Sequence, residues 1–300
     1  MLFRSYITRT EDILLKRNLP TATGYANVWD NLGKLENHGL EISLNTINVK
    51  AGDFKWETML NFARNRNKIL DLYGDKKDDL GNRWFIGQPL LVIYDYVLQG
   101  VWQQGEDASS QDPGVKPGDL KFADKDGSKT ITADDKRILG STLPKWIGGL
   151  TNTFHYKNWH FNIFIQTFQG AIKNNVNLTW ADEAGRMNTA KEIGYWTADN
   201  KSNTRPSLAY TNSRGYGYAS ENSYTRIKDA TLSYTTPQRL LTKTGLGSLT
   251  FYLSGRNLYT FTNWVGWDPE NDFTFRGNGG WDNNYPLVRS FIFGVNVGLR

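Results

Sequence analysis

Residues 291–299 read FIFGVNVGL, and the pattern of this stretch decides the fold class. Large apolar side chains stand at every second position: Phe291, Phe293, Val295, Val297 and Leu299. The positions between them carry mostly small or polar residues: Ile292, Gly294, Asn296 and Gly298. Successive side chains of a β-strand point to opposite faces, so this period predicts a half-buried strand. The period recurs along most of the chain, for example at 56–63 and 159–166. We therefore expect an all-β protein.

The strand at 38–50 changes phase partway along its length. Its apolar positions run through Leu44 and then shift to Ile47 and Val49. A β-bulge inserts one extra residue into a strand and so moves the following side chains to the other face. The shift predicts a bulge near Asn45 or Thr46.

The length of the strands favours a membrane barrel. Several run to about a dozen residues, whereas strands of soluble proteins are commonly about five or six and membrane-crossing strands about nine to eleven. Aromatic residues at or near the strand ends are typical of interfacial girdles: Tyr156, Trp159, Tyr234, Tyr252 and Tyr259. The period alone leaves a large soluble β-sandwich open, because cross-strand aromatic pairs occur there too.

The connections between strands favour the barrel. They are very short at 51–53 and 157–158 and long and polar at about 71–145, 171–222 and 260–287. Outer-membrane barrels combine short periplasmic turns with long extracellular loops, whereas soluble domains rarely carry several such loops. We predict a transmembrane antiparallel β-barrel with about eight crossings, at 6–15, 38–50, 54–66, 146–156, 159–170, 223–235, 249–258 and 288–299.

Two connections have further features. The excursion at about 68–145 is predicted to be extracellular, so the apolar stretch at 91–102 is either part of it or half of an added hairpin. Residues 236–245, TPQRLLTKTG, have Pro237 at a first-turn position and Gly245 as a stop, which predicts a short helical turn.

Composition excludes several classes of function. There are no cysteines, so disulfide scaffolds and thiolate chemistry are excluded. The net charge of +5 is spread without a basic block, so nucleic-acid binding is not indicated. No apolar run is long enough for a transmembrane helix, and no signal peptide is evident. The three histidines, His38, His155 and His160, are interpreted as ordinary strand residues rather than a zinc site.

No catalytic residue is predicted. Adjacent acids occur at Asp78 and Asp79 and at Asp134 and Asp135, and a glycosidase would need two carboxylates at a defined separation. Adjacent acids in polar turns are usually solvated, so we expect that the chain is not an enzyme.

Residues 124–135, DKDGSKTITADD, have the ligand spacing of an EF-hand-type calcium loop. Oxygen-bearing side chains stand at its first, third, fifth, seventh and twelfth positions: Asp124, Asp126, Ser128, Thr130 and Asp135. Lys129 takes the sixth position, where a left-handed turn normally needs glycine, at a cost of about 1–2 kcal/mol. Ile131 is expected to pack inward. The alternative is a polar turn followed by a short helix at 133–135, and in both cases the role is structural.

Seven segments carry a more specific pattern: NLGKLENHGLEISLN (31–45), IGQPLLVIYDYVLQGVWQ (86–103), PGDLKFADKDGSKTITADDKRILGSTLPKWIGGLTN (117–152), YWTADNKSNTRP (195–206), SYTRIKDATLSYTTP (223–237), SGRNLYTFTNWVGWDPE (254–270) and YPLVRSFIFGVNVGLR (285–300). In order and spacing they resemble the C-terminal third of the SusC/RagA-type TonB-linked outer-membrane transporters of Bacteroidetes.

This resemblance implies that the chain is the C-terminal part of a large transmembrane antiparallel β-barrel, in an outer-membrane protein that imports oligosaccharides or peptides. The implied partners are a SusD-type lipoprotein lid, TonB acting through an N-terminal region that this chain lacks, and outer-membrane lipid. No cofactor is implied, and calcium is the one ligand that the loop suggests. Five tryptophans in the long loops are candidates for stacking on sugars or docking the lid, although local packing is favoured for any one of them: Trp180, Trp196, Trp264, Trp267 and Trp281.

The ends of the chain prompt two expectations. Residues 1–5, MLFRS, are interpreted as a non-native start that precedes a barrel portion at 6–300, and Arg300 stands where the family usually ends on an aromatic residue. Unpaired edge strands predict that the piece alone does not form a stable monomer in lipid. Glu57 and Asn61 are predicted to face the lumen. The alternative function is a soluble or surface-attached glycan-binding β-domain with a calcium-stabilised loop.

Overall fold

Eight long strands form one antiparallel sheet in the computed structural model, which describes residues 1–107, 112, 114–181, 194–270, 275–276, 280–281 and 287–300. These strands are β1 (Leu2–Asn18), β2 (Asn27–Ala51), β3 (Phe54–Asp71), β8 (Trp146–Tyr156), β9 (Trp159–Gln169), β12 (Tyr224–Thr235), β13 (Leu246–Thr262) and β16 (Ser290–Leu299). Each pairs with the next in chain order, so the sheet is a meander. The eight predicted crossings are confirmed. β1 already begins at Leu2 and pairs with β2 from there.

The two faces of the sheet differ in the way the sequence predicts. Directly opposed residues share a face, and Trp56, Phe154 and Phe161 form a stacked row across β3, β8 and β9, with centroids 5.7 and 6.0 Å apart. On β16, Phe291 and Phe293 are each 70% exposed. An apolar face this open is costly in water and favourable in lipid.

The bulge in β2 lies later than predicted. Register shifts between Ile47 and Val49, so the extra residue is Asn48 rather than Asn45 or Thr46. The Asn48 side chain makes two hydrogen bonds, one within β2 and one to β3. Its Oδ1 accepts from the Thr46 hydroxyl at 2.8 Å, and its Nδ2 donates to the Thr58 hydroxyl at 2.6 Å. As a result Ile47 opposes Glu57 on the polar face.

Four of the five predicted girdle residues lie on the apolar face. Tyr156 opposes Trp159, and Trp159 opposes Tyr234 with ring centroids 4.9 Å apart, so these three form a row at the short-turn end. Tyr259 lies toward the opposite end and is 53% exposed. The prediction for Tyr252 is wrong, because its register partners put it on the polar face.

The long connections contain short strands and helices: β4 (Val92–Asp95), β5 (Leu98–Val101), β6 (Leu120–Phe122), β7 (Arg137–Ser141), β10 (Ile172–Lys173), β11 (Ser220–Glu221), β14 (Phe275–Arg276), β15 (Gly280–Trp281), α1 (Val176–Ala181) and the 3-10 helix Ala133–Asp135. A second 3-10 helix, Thr21–Thr23, lies in the connection between β1 and β2. β4 pairs with β7, and β5 with β6, outside the main sheet. The apolar stretch 91–102 therefore belongs to the excursion, and the added-hairpin option is wrong.

Helical structure is sparse. The predicted helical turn is confirmed as α2 (Gln238–Leu241), with Pro237 as its N-cap residue and Gly245 at φ +72°. Within the described residues, no helix has the length and apolar character needed to cross a bilayer.

Gly294 of β16 lies where a larger side chain would not fit. A Cβ there would overlap the ring of Tyr252, which lies on the neighbouring strand and the same face. We expect Gly294→Val to destabilise the barrel by about 1–3 kcal/mol, the usual cost of overpacking. The unfolding temperature of the protein in detergent, read from heat-modified gel migration, should fall. Asn296→Val on the same strand and face is the control, and equal effects of both substitutions would contradict the role of Tyr252.

Candidate functional site

The first two long connections fold together around one apolar core. We call the described residues of the three long connections, 72–145, 170–223 and 263–289, the loop assembly. Its core combines buried residues from the first and second connections: Tyr96, Val101, Leu120, Phe122, Ile131, Tyr210, Tyr216 and Tyr218. Phe122 meets Tyr216 edge-on with centroids 5.0 Å apart, and burial raises the pKa of Tyr216 to about 12. These connections are therefore packed structure rather than free loops.

Hydrogen bonds join the first connection to the second at separate points. Asp95 is buried, and its Oδ2 accepts the backbone N–H of Gly217 at 2.8 Å. Asn203 Oδ1 accepts the N–H of Val101 at 3.0 Å. Buried backbone groups that lose such partners carry a desolvation cost, so these bonds specify how the two connections fit together.

An ion pair at the outer edge of the core adds a charged contact. Arg214 donates to Asp112 at 2.7 Å. Burial raises the pKa of Asp112, and the charge of Arg214 opposes that rise. The pair therefore favours the ionised carboxylate in a place where burial alone disfavours it.

The third connection is fastened to the sheet by Arg226 of β12. The Arg226 side chain is 1% exposed, and its NH2 lies 2.8 and 2.9 Å from the two carboxylate oxygens of Asp268. Its NH1 donates to Glu270 at 2.6 Å and its Nε to the Thr260 hydroxyl at 2.7 Å. Asn175 donates to the carbonyl of Val265 at 2.7 Å, which joins the second connection to the third. Sequence reasoning missed this network.

The predicted calcium loop folds as a compact turn. Asp124 accepts backbone N–H groups from Gly127 at 2.7 Å and Lys129 at 2.9 Å. Lys129 has φ +63°, which confirms the predicted left-handed conformation at the sixth position. Ile131 is buried in the core of the loop assembly, as predicted.

The carboxylates of the loop converge. One oxygen each of Asp124, Asp126 and Asp135 lie within 4.8 Å of one another. Hydrogen bonds from Ser128 hold the pKa of Asp126 below its usual value, so this carboxylate is ionised near neutral pH. Asp135 is fully buried and accepts the N–H groups of Lys125 at 2.6 Å and Thr132 at 2.7 Å.

The remaining ligands of the predicted set lie in the same turn. The hydroxyl of Ser128 donates to the carbonyl of Thr130 at 3.0 Å. Thr132 and Asp135 form a reciprocal cap on the 3-10 helix Ala133–Asp135, so the short helix of the alternative interpretation is present as well. Calcium binding by Asp124, Asp126, Ser128, Thr130 and Asp135 stays a prediction.

The tryptophans of the loop assembly differ in exposure. Trp196 packs against Gly118 and donates from Nε1 to Gln103 at 2.8 Å, which is local packing. Trp264 and Trp267 line one small cavity with Lys173, Asn177 and Asp268. Trp267 is 61% exposed, so its ring faces outward beside this cavity. The side chains of Trp180 and Trp281 lie outside the described part of the chain.

The other predicted residues lie on the sheet or in turns. Glu57 and Asn61 share the polar face with Thr153 and Gly149, their partners on β8. His155 opposes His160, with ring centroids 4.4 Å apart, also on this face. His38 opposes Arg66 across β2 and β3, far along the chain from that pair.

The adjacent acids are used in turns. Asp79 accepts from the Tyr73 hydroxyl at 2.6 Å and from the N–H of Asn82 at 2.9 Å. Asp78 accepts the N–H of Ile86 at 2.7 Å. Asp134 is exposed, whereas Asp135 caps its helix. These bonds assign the carboxylates structural roles.

No family model matches the chain, but several known proteins are similar to it over nearly its whole length. It is 35% identical to TonB-dependent receptor P3 of Formosa agariphila over 98% of this chain and 32% of the receptor. TonB-dependent receptor SusC of Bacteroides thetaiotaomicron is 27% identical over 97% of this chain and 29% of that receptor. The chain thus spans about a third of the length of the curated relatives it matches.

Solved structures agree with these relatives. The RagAB peptide transporter superposes with a TM-score of 0.77 and 25% identity, over 98% of this chain and 33% of that one. The RagAB peptide importer in its open-open state gives 0.78 and 25%, over 99% of this chain and 32% of that one. The relatives are named as receptors or transporters rather than enzymes, which supports a non-enzymatic role.

Calcium binding by residues 124–135 can be tested by titration. We expect binding in the range of extracellular calcium modules, about 0.1–1 mM, because Lys129 and Ser128 weaken the site. Isothermal calorimetry on the receptor should show heat at millimolar calcium, and Asp126→Asn should reduce it. Asp134→Asn, which removes an adjacent exposed carboxylate, is the control. No heat at millimolar calcium would end the calcium hypothesis.

The Arg226 network yields a stability test. Arg226→Leu leaves the buried carboxylate of Asp268 without its partner, so we expect a loss of about 3–5 kcal/mol. The measurement is limited proteolysis of the loop assembly in the folded receptor, where cleavage should increase. Lys228→Leu removes only a partly exposed contact to Glu270 and should change little. Equal protection of wild type and Arg226→Leu would contradict the fastening role.

Proposed function

The chain belongs to the SusC/RagA-type TonB-dependent receptors, a family of outer-membrane proteins, and we propose that it forms the C-terminal part of a barrel that imports a nutrient. The observation that carries the proposal is the exposed apolar face of the eight-strand sheet. It has an aromatic row at the short-turn end and the folded loop assembly at the other end. Lipid would cover that face. The polar face, with Glu57 and Asn61, would line the lumen.

The orientation follows from the connections. The short turns at 52–53 and 157–158 would lie in the periplasm, and the loop assembly would lie outside the cell. Its first excursion begins at 72 rather than at 68, because β3 continues to Asp71. A calcium ion held by the loop at 124–135 would there stabilise the core through Ile131.

We propose an oligosaccharide or a peptide as the substrate, a SusD-like lipoprotein as the lid, and TonB as the source of energy. The similar RagAB structure is named a peptide transporter, which supports the peptide as one of these two classes. A soluble glycan-binding domain is the second candidate, and the exposed apolar face argues against it.

Trp267 is the residue through which the loop assembly would touch a ligand. Its ring is exposed, and the neighbouring Asp268 is held in place by the buried Arg226. The buried Trp264 Nε1 has no hydrogen-bond partner among the described residues and lines the adjacent cavity. An exposed ring beside an unpaired indole N–H suits a sugar face or a peptide side chain.

Uptake assays test the proposal. Cells that express the receptor would be supplied with labelled oligosaccharides or peptides, with and without functional TonB. We expect TonB-dependent uptake of one class, and Trp267→Ala should weaken binding by about two- to tenfold, the scale of one aromatic contact.

Tyr25→Ala is the matched control, because Tyr25 is an exposed aromatic residue in the β1–β2 connection, at the same end of the sheet. Uptake that is independent of TonB, or recovery of the receptor from the soluble fraction without detergent, would refute the proposed function.

A further inference from the structure

The apolar face of β1–β3 becomes basic over a short distance toward the loop assembly. Here a rung is a set of directly opposed residues on neighbouring strands. Phe3, Ile42 and Phe62 form an apolar rung, and the ring of Trp146 stacks on Phe62 with centroids 5.8 Å apart. The next three rungs on that face are Ser5–Leu40–Arg64, Ile7–His38–Arg66 and Arg9–Glu36–Lys68.

These rungs carry an excess of positive charge. Four cationic side chains form what we call the basic patch: Arg9, Arg64, Arg66 and Lys68. Glu36 is the one carboxylate on these rungs, and it is engaged by Arg9 Nε at 2.9 Å and by Lys68 Nζ at 3.5 Å. No acid shares a rung with Arg64 or Arg66.

The position of the basic patch decides what it can bind. Residues two apart on a strand are about 6.6 Å apart, so Arg64 lies about that distance beyond the Phe62 rung. In the proposed orientation this is where hydrocarbon gives way to headgroups. Arginine at such a level extends its guanidinium into the headgroup layer and binds phosphate through paired hydrogen bonds.

We propose that the basic patch binds the phosphate of an anionic lipid headgroup in the leaflet nearest the loop assembly, with Arg64 and Arg66 as the main contacts. The inference rests on the proposed function, because it needs the apolar face to be covered by lipid. Arg64 and Arg66 have no acid on their rungs, and they follow directly on the Phe62–Trp146 pair, where a lipid phosphate would supply negative charge. One lipid held there would fix the depth of β3 in the membrane.

The receptor that carries this chain, purified in neutral detergent, tests the inference. It would be titrated with dioctanoyl phosphatidic acid, with dioctanoyl phosphatidylcholine and with inorganic phosphate, and adducts would be counted by native mass spectrometry. We expect phosphatidic acid to bind, and Arg64→Gln with Arg66→Gln to weaken it about fivefold for each arginine. Arg64→Lys with Arg66→Lys keeps the charge but loses the paired hydrogen bonds, so its affinity should lie between that of the wild type and that of the glutamine variant.

Arg4→Gln is the matched control. Arg4 lies on the opposite face of the sheet, between the rungs of Phe3 and Ser5, and Glu41 is directly opposite it on β2. Unchanged phosphatidic acid binding in the double glutamine variant would overturn the inference, and so would equal binding of inorganic phosphate, which would mean a free-anion site. A receptor absent from the membrane fraction would overturn the proposed function and the inference together. A membrane-inserted, transporting receptor with unchanged lipid binding would overturn the inference alone.

Discussion

Backbone pairing between neighbouring strands is the constraint on which the rest of the structure depends. A strand in lipid has no water to satisfy its N–H and C=O groups, so every one must bond to an adjacent strand. That pairing fixes the register, and the register decides which face each side chain takes, because a slip of one residue exchanges the faces. Asn48 shows how tightly this holds in β2, since the bulge there lets Val49 return to the apolar face opposite Trp56.

The sequence predicts the order and type of the strands well because lipid and lumen impose opposite demands on alternate positions. It predicts the bounds of β2 poorly, since residues 27–37 extend past the apolar rungs, where no alternation is required. The error at Tyr252 has a similar cause: an aromatic residue near a strand end looks the same in sequence whether it faces lipid or covers a glycine on the lumen side. Only the register distinguishes the two cases.

In the candidate site, features formed by residues close together in the chain could be predicted, whereas features formed by residues far apart could not. The calcium-like loop could be predicted because its oxygen positions lie within twelve consecutive residues. Arg226 and Asp268 are 42 residues apart, and no local pattern links them. Tyr210, Tyr216 and Tyr218 of the core come from a stretch that is polar on average, so composition does not reveal their burial against the first connection. The bond from the Gly217 N–H to the buried Asp95 likewise joins residues far apart along the chain.

The shared core of the loop assembly has a mechanical consequence. A force on one connection passes through Asp95 and Gly217 into the next, and through Asn175 and Val265 into the third. The buried guanidinium of Arg226 on β12 attaches the third connection to the barrel wall. The loop assembly should therefore move as one rigid body about β12. A partner that binds any part of it would move all three connections together.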